Sequence, residues 1–208
     1  MIATVLVLAK EPLPGKVKTR LVPPLSFGGA AEVAAAALAD TLRVVAPAAA
    51  RRVIVLDGVA GPWLPRGWCV ARQRVGGLDQ RLADAFVDAG RGVTVLVGMD
   101  TPQVRPEQLA AFDPSRYDAC LGPAVDGGYW AIGLSDPAVA RAVIPGVPMS
   151  TVDTGVEQLR RLRAHGLRVQ LLDSLEDIDT FAAAQRVAAE MPTGSALVRT
   201  MCALDRAA

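Results

Sequence analysis

The chain has 208 residues, with 22 Lys plus Arg against 21 Asp plus Glu, so its formal net charge is +1. This length suits one α/β domain with a sizeable core, whereas two full domains would be cramped. The near-zero charge gives no overall attraction to nucleic acid or to membrane surfaces, and we expect neither as a partner.

Hydrophobic residues make up 51% of the chain, but they occur in short runs, so the sequence predicts no membrane span. No cationic segment precedes the first apolar run, which argues against a secretory signal. The three cysteines, Cys69, Cys120 and Cys202, lie far apart without CxxC spacing, as in proteins of the reducing cytosol. We therefore expect a cytoplasmic protein, with Cys69 and Cys120 as small core residues.

The first element is an apolar run over residues 2–9 that predicts a central strand. Residues 10–20 then carry four cations with two prolines and a glycine, which predicts an irregular loop. A loop directly after the first strand of an α/β sheet commonly binds phosphate, because lysine and arginine donate charge-assisted hydrogen bonds. The spacing matches neither GxGxxG nor a Walker loop, and a solvated charged surface explains the loop equally well. The candidate phosphate-binding residues of this loop are Lys10, Gly15, Lys16, Lys18 and Arg20.

The next segments predict, in order, an Ala-rich helix and two strands, over residues 30–45, 52–57 and 68–73. Gly76 and Gly77 then precede a helix that runs to about Gly90. Paired glycines allow a close backbone approach, and the free N–H groups at a helix start suit an anion. Gly77 and Leu78 are therefore further candidates for nucleotide or phosphate binding.

The clearest strand signal is the β-branched run over residues 93–97, which is typical of a strand buried on both faces of a parallel sheet. It ends at Gly98 and is followed by Asp100. A carboxylate at that point lies on the edge of an α/β sheet where ligands bind, and it can hold a divalent metal through oxygen. A cap on the helix that follows would explain Asp100 equally well.

A second glycine-rich segment follows the predicted strand over residues 117–122. Asp126, Gly127 and Gly128 predict a turn into an extended segment that begins at Tyr129. A hairpin accounts for this pattern, although paired glycines beside an aspartate also suit backbone that packs against a ligand.

The remaining elements are a helix over residues 152–164, a strand over 167–172, a helix over 181–190 and a loose tail beyond Pro192. Ser150 or Thr151 would cap the first of these helices, and Asp179 or Thr180 would cap the second. Strands that alternate with helices predict a mostly parallel sheet with helices on both faces.

Together these motifs resemble the bacterial DUF2064 family, which is similar to nucleotide-diphospho-sugar transferases of the GT-A fold. The resemblance runs in order to about Ala189 and rests on residues 10–21 (KEPLPGKVKTRL), 77–86, 98–102 (GMDTP), 126–134 (DGGYWAIGL), 148–151 and 177–180 (DIDT). It implies a single Rossmann-like domain over 1–208 with a small antiparallel hairpin region. A nucleotide-binding half would span about 1–102, an acceptor half about 103–190 and a tail 191–208.

The resemblance also implies roles for individual residues. Asp100 would be a metal ligand with Asp179, and Asp100 and Asp126 would act in catalysis. The acceptor side would comprise Gly127, Gly128, Tyr129, Ser150 and Thr151. The sequence departs from the family pattern at Met99, where a small polar residue is common, and at Met149, where tryptophan is common.

These observations predict a transferase that depends on Mg²⁺ or Mn²⁺ and uses a nucleotide-activated donor and a small-molecule acceptor. The leading hypothesis is glycosyl transfer from a nucleotide-sugar. One alternative is nucleotidyl transfer, of guanylyl or cytidylyl type, from a nucleoside triphosphate to a phosphorylated acceptor. A further alternative is a non-catalytic nucleotide-binding protein. The Ala-rich helices allow a homodimer without requiring one.

Overall fold

Seven strands and seven α-helices occur in residues 2–207, the part of the chain that the computed structural model describes. The strands are β1 (Ile2–Lys10), β2 (Ala49–Asp57), β3 (Cys69–Arg72), β4 (Thr94–Val97), β5 (Ala119–Pro123), β6 (Tyr129–Leu134) and β7 (Val169–Leu171). The helices are α1 (Phe27–Val45), α2 (Leu78–Ala89), α3 (Pro106–Ala110), α4 (Ala140–Val143), α5 (Thr154–Ala164), α6 (Phe181–Glu190) and α7 (Ala196–Ala207). None of these helices is both long and apolar enough to cross a membrane.

The strands form one sheet in the order β3-β2-β1-β4-β6-β5-β7. Every pairing is parallel except those of β6, which runs antiparallel to both β4 and β5. This confirms the predicted mostly parallel sheet with an antiparallel hairpin. Strands β2 and β3 lie on one side of β1 and β4 lies on the other, so the chain reverses its direction of travel across the sheet at β1. A crevice opens at such a reversal beyond the carboxyl ends of the strands.

The two faces of the sheet carry separate cores because successive side chains of a strand point to opposite sides. Val5 and Val7 of β1 pack with Leu38 and Leu42 of α1 on one face. Leu6 of β1 packs with residues of α2 on the other face. Strand β4 is buried along its whole length, as its β-branched sequence predicts.

Two local expectations are corrected by the structure. Cys69 is exposed rather than in the core, because β3 is an edge strand with little cover, whereas Cys120 is buried. Neither Ser150 nor Thr151 is the cap of α5, which begins at Thr154 after Asp153. The Gly155 N–H of the first turn donates instead to the Gly127 carbonyl at 2.8 Å, so a neighbouring turn satisfies it.

The prediction of a loose tail beyond Pro192 is wrong. Residues 196–207 form α7, which buries Leu197 and Met201 against Val33 and Ala37 of α1. The apolar face of α7 stabilises the helix only where it packs against α1, because a short helix gains most of its stability from packing rather than from propensity.

Asp40 holds the start of α7, and its substitution tests that attachment. The fully buried carboxylate accepts hydrogen bonds from the N–H groups of Ala196, at 3.0 Å, and Leu197, at 2.8 Å. Asp40→Ala leaves both donors without this acceptor, and we expect a loss of about 2–4 kcal/mol in the free energy of unfolding, measured in urea. Arg43→Gln, which removes only the half-exposed ion-pair partner of Asp40, should cost less than about 1 kcal/mol. Equal losses in the two variants would contradict this explanation.

Candidate functional site

A cavity of about 740 Å³ opens at the carboxyl ends of β1 and β4, where the topology predicts a crevice. Residues Leu8 to Lys10 and Gly98 to Asp100 form its floor at the two strand ends. The loop after β1, the start of α2, the turn before β6 and the segments before α5 and α6 form the wall. Segments far apart in the chain therefore meet at one site.

Lys18 lies between two carboxylates at the centre of this wall. Its Nζ is 2.5 Å from Oδ2 of Asp100 and 2.9 Å from Oδ1 of Asp179. Burial alone would lower the pKa of Lys18, but Asp100 and Asp179 outweigh it and raise that pKa above its usual value. Burial would raise the pKa of Asp179, but Lys18 and then Arg20, at 3.3 Å, hold it below its usual value. Lys18 and Asp179 are therefore both charged near neutral pH.

Backbone geometry brings these residues together. Lys18 has the left-handed conformation, with φ of 48°. The Ile178 N–H donates to the Asp100 carbonyl at 3.0 Å and joins the two acidic segments. Thr180, not Asp179, caps α6 through its side chain, which leaves Asp179 available to the cavity. Within residues 2–207, Ser150 is the other non-glycine residue with positive φ, and it also lines the cavity. Such strain is concentrated at functional sites.

Asp177 is a cavity residue that the sequence reasoning did not single out. Burial, followed by repulsion from Asp100 and Asp126, raises the pKa of Asp177 to about 8. Its Oδ1 atom is buried and has no hydrogen-bond partner among the described residues. Its position in the DIDT motif, two residues before Asp179, was the available signal, but burial cannot be read from that spacing.

Asp126 belongs to a tight turn at the cavity edge. Its Oδ1 accepts a hydrogen bond from the Gly128 N–H at 2.8 Å, which leaves Oδ2 free of that turn. A Cβ atom at Gly127 would collide with the Val152 carbonyl oxygen, so only glycine permits this packing. Gly127 therefore positions the turn against the start of α5, while Asp126 and Gly128 line the cavity.

Most of the predicted site residues line this one cavity, and their roles stay predictions. Those that line it are Lys10, Lys16, Lys18, Arg20, Leu78, Asp100, Asp126, Gly128, Tyr129, Ser150, Thr151 and Asp179. Gly15, Gly77 and Gly127 are not part of the lining. Gly15 forms a turn with φ of 73° and Gly77 precedes α2, so both shape the backbone beside the cavity.

The acidic residues fit a divalent cation that arrives with a phosphate ligand. Burial, followed by repulsion from Asp100 and Asp126, disfavours the ionised form of Asp177, and a bound cation would offset both effects. Within residues 2–207, however, no three acidic, histidine or cysteine side chains form a ready metal cage. Mg²⁺ commonly uses one or two carboxylates together with substrate phosphates rather than a complete protein cage. Asp100, Asp177 and Asp179 are the residues that would hold it.

Known structures with the same fold place this architecture among nucleotide-using proteins. A Desulfovibrio desulfuricans G20 protein described as a "putative nucleotide-diphospho-sugar transferase" superposes with a TM-score of 0.86 at 27% identity, over 99% of this chain and 96% of that one. A nucleotidyl transferase from Methanothermobacter thermautotroptrophicus gives 0.57 at 16% identity, over 90% and 95%. The 2-C-methyl-D-erythritol 4-phosphate cytidylyltransferase of Thermus thermophilus gives 0.51 at 18% identity, over 83% and 89%. The last two similarities show the fold alone.

No curated protein matches the chain. A family model described as "uncharacterized protein conserved in bacteria (DUF2064)" matches residues 30–151, more than half of the sequence. That segment includes the end of β4 with Asp100 and the turn with Asp126. The chain therefore belongs to the DUF2064 family, within the fold of the nucleotide-diphospho-sugar transferases.

Proposed function

We propose that the protein is a metal-dependent transferase that uses a nucleotide-activated donor, with a nucleotide-sugar as the donor and a small molecule as the acceptor. The single observation that carries this proposal is the cluster of Lys18, Asp100, Asp177 and Asp179 at the strand ends of a nucleotide-transferase fold. The similarity at 27% identity to the Desulfovibrio desulfuricans protein supports a diphospho-sugar donor.

The cations of the loop after β1 would bind the donor diphosphate. Lys10 and Lys16 line the cavity together with Lys18 and Arg20, and the last two also pair with Asp100 or Asp179. Charge-assisted hydrogen bonds from lysine and arginine to phosphate oxygens are short and strong. These hydrogen bonds stabilise the transition state more than the bound substrate, because negative charge develops on the leaving diphosphate oxygen.

The acidic side of the cavity would hold a divalent cation through Asp100, Asp177 and Asp179. When bound there, Mg²⁺ or Mn²⁺ would supply charge neutralisation at the leaving group. The carboxylates of Asp100 and Asp179 would then interact with both the Lys18 ammonium and the bound metal ion. The pKa of Asp177, which burial and then repulsion from Asp100 and Asp126 raise, would fall beside a bound cation.

The acceptor would enter from the side of the turn before β6. Asp126 lies there with Oδ2 free, so it can accept a proton from an acceptor hydroxyl or orient it. The Tyr129 hydroxyl is already within 3.4 Å of the Gln158 amide oxygen, so the Tyr129 ring rather than its hydroxyl would face the acceptor. Ser150 and Thr151, which line the cavity in the segment before α5, would offer hydroxyl groups beside the same turn.

Nucleotidyl transfer is the second candidate, and the cation loop favours it. The four cationic side chains between Lys10 and Arg20 are enough for a triphosphate as well as a diphosphate. In that reaction a phosphorylated acceptor would attack the α-phosphorus of a nucleoside triphosphate, and pyrophosphate would leave. The two chemistries therefore differ in the released product. Binding of a donor nucleotide without release of either product would support the non-catalytic alternative.

Substitution of Asp100 tests the metal-dependent donor site. Asp100→Asn should weaken Mn²⁺-dependent donor binding roughly 100-fold or more, since a metal contributes several kcal/mol of charge stabilisation. Calorimetry with GTP, CTP, UDP-glucose and GDP-mannose, each with and without Mn²⁺, measures this effect and ranks the donors. Glu190→Gln, an exposed charge at the end of α6, is the control and should bind as the unmodified protein does. Unchanged Mn²⁺-dependent binding in Asp100→Asn would refute the assignment.

A further inference from the structure

The cavity has an apolar side that neither the carboxylates nor the cation loop explains. Leu8 of β1 and Leu96 of β4 line it together with Leu78 and Leu82 of α2. Leu82 and Leu96 belong to the core cluster between the sheet and α2, and Leu8 and Leu78 pack against it. An apolar wall of this kind beside a polar phosphate site suits the flat face of an aromatic ring.

Two polar residues that bond to each other, Gln73 and Arg81, line the same cavity. Gln73 follows β3, and its amide nitrogen donates to the carbonyl oxygens of Ala9, at 2.7 Å, and Val55, at 3.0 Å. Both amide hydrogens are therefore used at the ends of β1 and β2, which determines the orientation of the side chain. The Gln73 oxygen then accepts a hydrogen bond of 2.6 Å from Nη1 of Arg81.

This contact leaves other donors of Arg81 available to a ligand. The guanidinium is planar, and its Nε–H and one Nη2–H point the same way, forming a fork of two parallel donors. Gln73 uses only one of the two hydrogens on Nη1, so the other Nη1 hydrogen and both Nη2 hydrogens are left for a ligand. Nε is buried and has no partner among the described residues, although buried donors are nearly always paired. Arg81 and Gln73 both line the cavity.

We propose that Arg81 reads the base of the donor nucleotide and that Gln73 positions it for this purpose. The inference rests on the proposed function and adds the substrate class to it. A fork of two donors fits a base edge with two adjacent acceptors, which guanine offers at O6 and N7 and cytosine at O2 and N3. Adenine offers no two adjacent acceptors, because its amino donor stands beside N1 and N7, and the N3–H of uracil separates its two carbonyls. The donor is therefore a guanine or a cytosine nucleotide.

Affinities for GDP, CDP, UDP and ADP, measured by calorimetry in Mg²⁺, test the proposal. The unmodified protein should bind GDP or CDP at least about tenfold more tightly than UDP and ADP. Comparison of the affinities for GDP and CDP shows whether guanine or cytosine is the recognised base. Arg81→Met and Arg81→Lys should each reduce this preference roughly 10- to 100-fold, because neither side chain carries the fork. Gln73→Met should lower the selectivity ratio for the same reason, since Arg81 is then no longer held.

Pyrophosphate, which has no base, is the matched ligand for each variant. Its affinity should be unchanged in all of them, which also shows that the variants are folded. Arg74→Met, on the same segment but exposed and paired with Asp88, should leave every affinity unchanged. Equal binding of the four nucleotides, or an unchanged ranking in Arg81→Met, would overturn the base assignment and leave the transferase proposal standing. Absence of nucleotide binding by the unmodified protein would overturn both.

Discussion

Lys18→Met is expected to destabilise the protein by about 2–3 kcal/mol, because it leaves two facing carboxylates without their shared cation. Only 10% of the Lys18 side chain is exposed, whereas 27% of Asp100 and 38% of Asp179 are exposed. The expected loss is therefore below that for a fully buried pair, since water screens the two carboxylates in part. Urea unfolding in EDTA at pH 7 measures the effect.

A divalent cation should restore part of that loss. Binding to the native state stabilises it according to ligand concentration and affinity, and the vacated carboxylates of Lys18→Met offer a stronger cation site. Mn²⁺ should therefore raise the melting temperature of Lys18→Met more than that of the unmodified protein. Lys16→Met removes an exposed cation from the same loop and should change stability by less than about 0.5 kcal/mol. Equal stability of the two variants would show that Lys18 does not hold the acidic cluster together.

Asp177→Asn is expected to stabilise the protein at alkaline pH and to have little effect in acid. The pKa of Asp177 is about 8 in the folded protein and about 3.9 in an unfolded chain. Between these values the folded state binds more protons than the unfolded state, so the unmodified protein loses stability as the pH rises. Asparagine cannot ionise and avoids this loss. We expect a gain on the order of 2–4 kcal/mol at pH 8.5 and almost none at pH 4.

Asp179→Asn provides the contrast, because its shift has the opposite sign. The pKa of Asp179 lies below its usual value, since Lys18 and Arg20 outweigh its burial. Its ionised form therefore adds stability above pH about 4, and that stability is lost as the pH falls. Asp179→Asn should destabilise the protein at pH 7. Urea titrations of both variants from pH 4 to 8.5 in EDTA measure the two curves. A gain for Asp177→Asn that does not vary with pH would refute ionisation as its cause.

Opposite effects from two aspartates in one motif would mark a site arranged for a ligand rather than for stability. A buried carboxylate with a raised pKa and an unpaired oxygen destabilises the fold, and such groups persist where function requires them. The left-handed backbone of Lys18 and Ser150 adds strain at the same cavity.

Much of the architecture follows from local patterns in the sequence. The apolar runs of β1 and β4 predict buried parallel strands, because strands covered on both faces have no polar alternation. Asp100 could be placed at the ligand edge of the sheet for the same reason, since it directly follows such a strand. The glycines around Asp126 predicted the turn into β6 through their conformational freedom.

Pairings between distant segments decided the rest. The burial of Asp177 depends on the hydrogen bond that joins Ile178 to Asp100. The position of Arg81 depends on the sheet, because Gln73 bonds both to Arg81 and to the ends of β1 and β2. The docking of α7 likewise depends on Asp40, far away in the sequence. The sequence by itself thus determined which segments are strands and which residue types stand at their ends. Only the tertiary structure decided which charges are buried together, because desolvation and Coulomb energy depend on distances between segments that are far apart in the sequence.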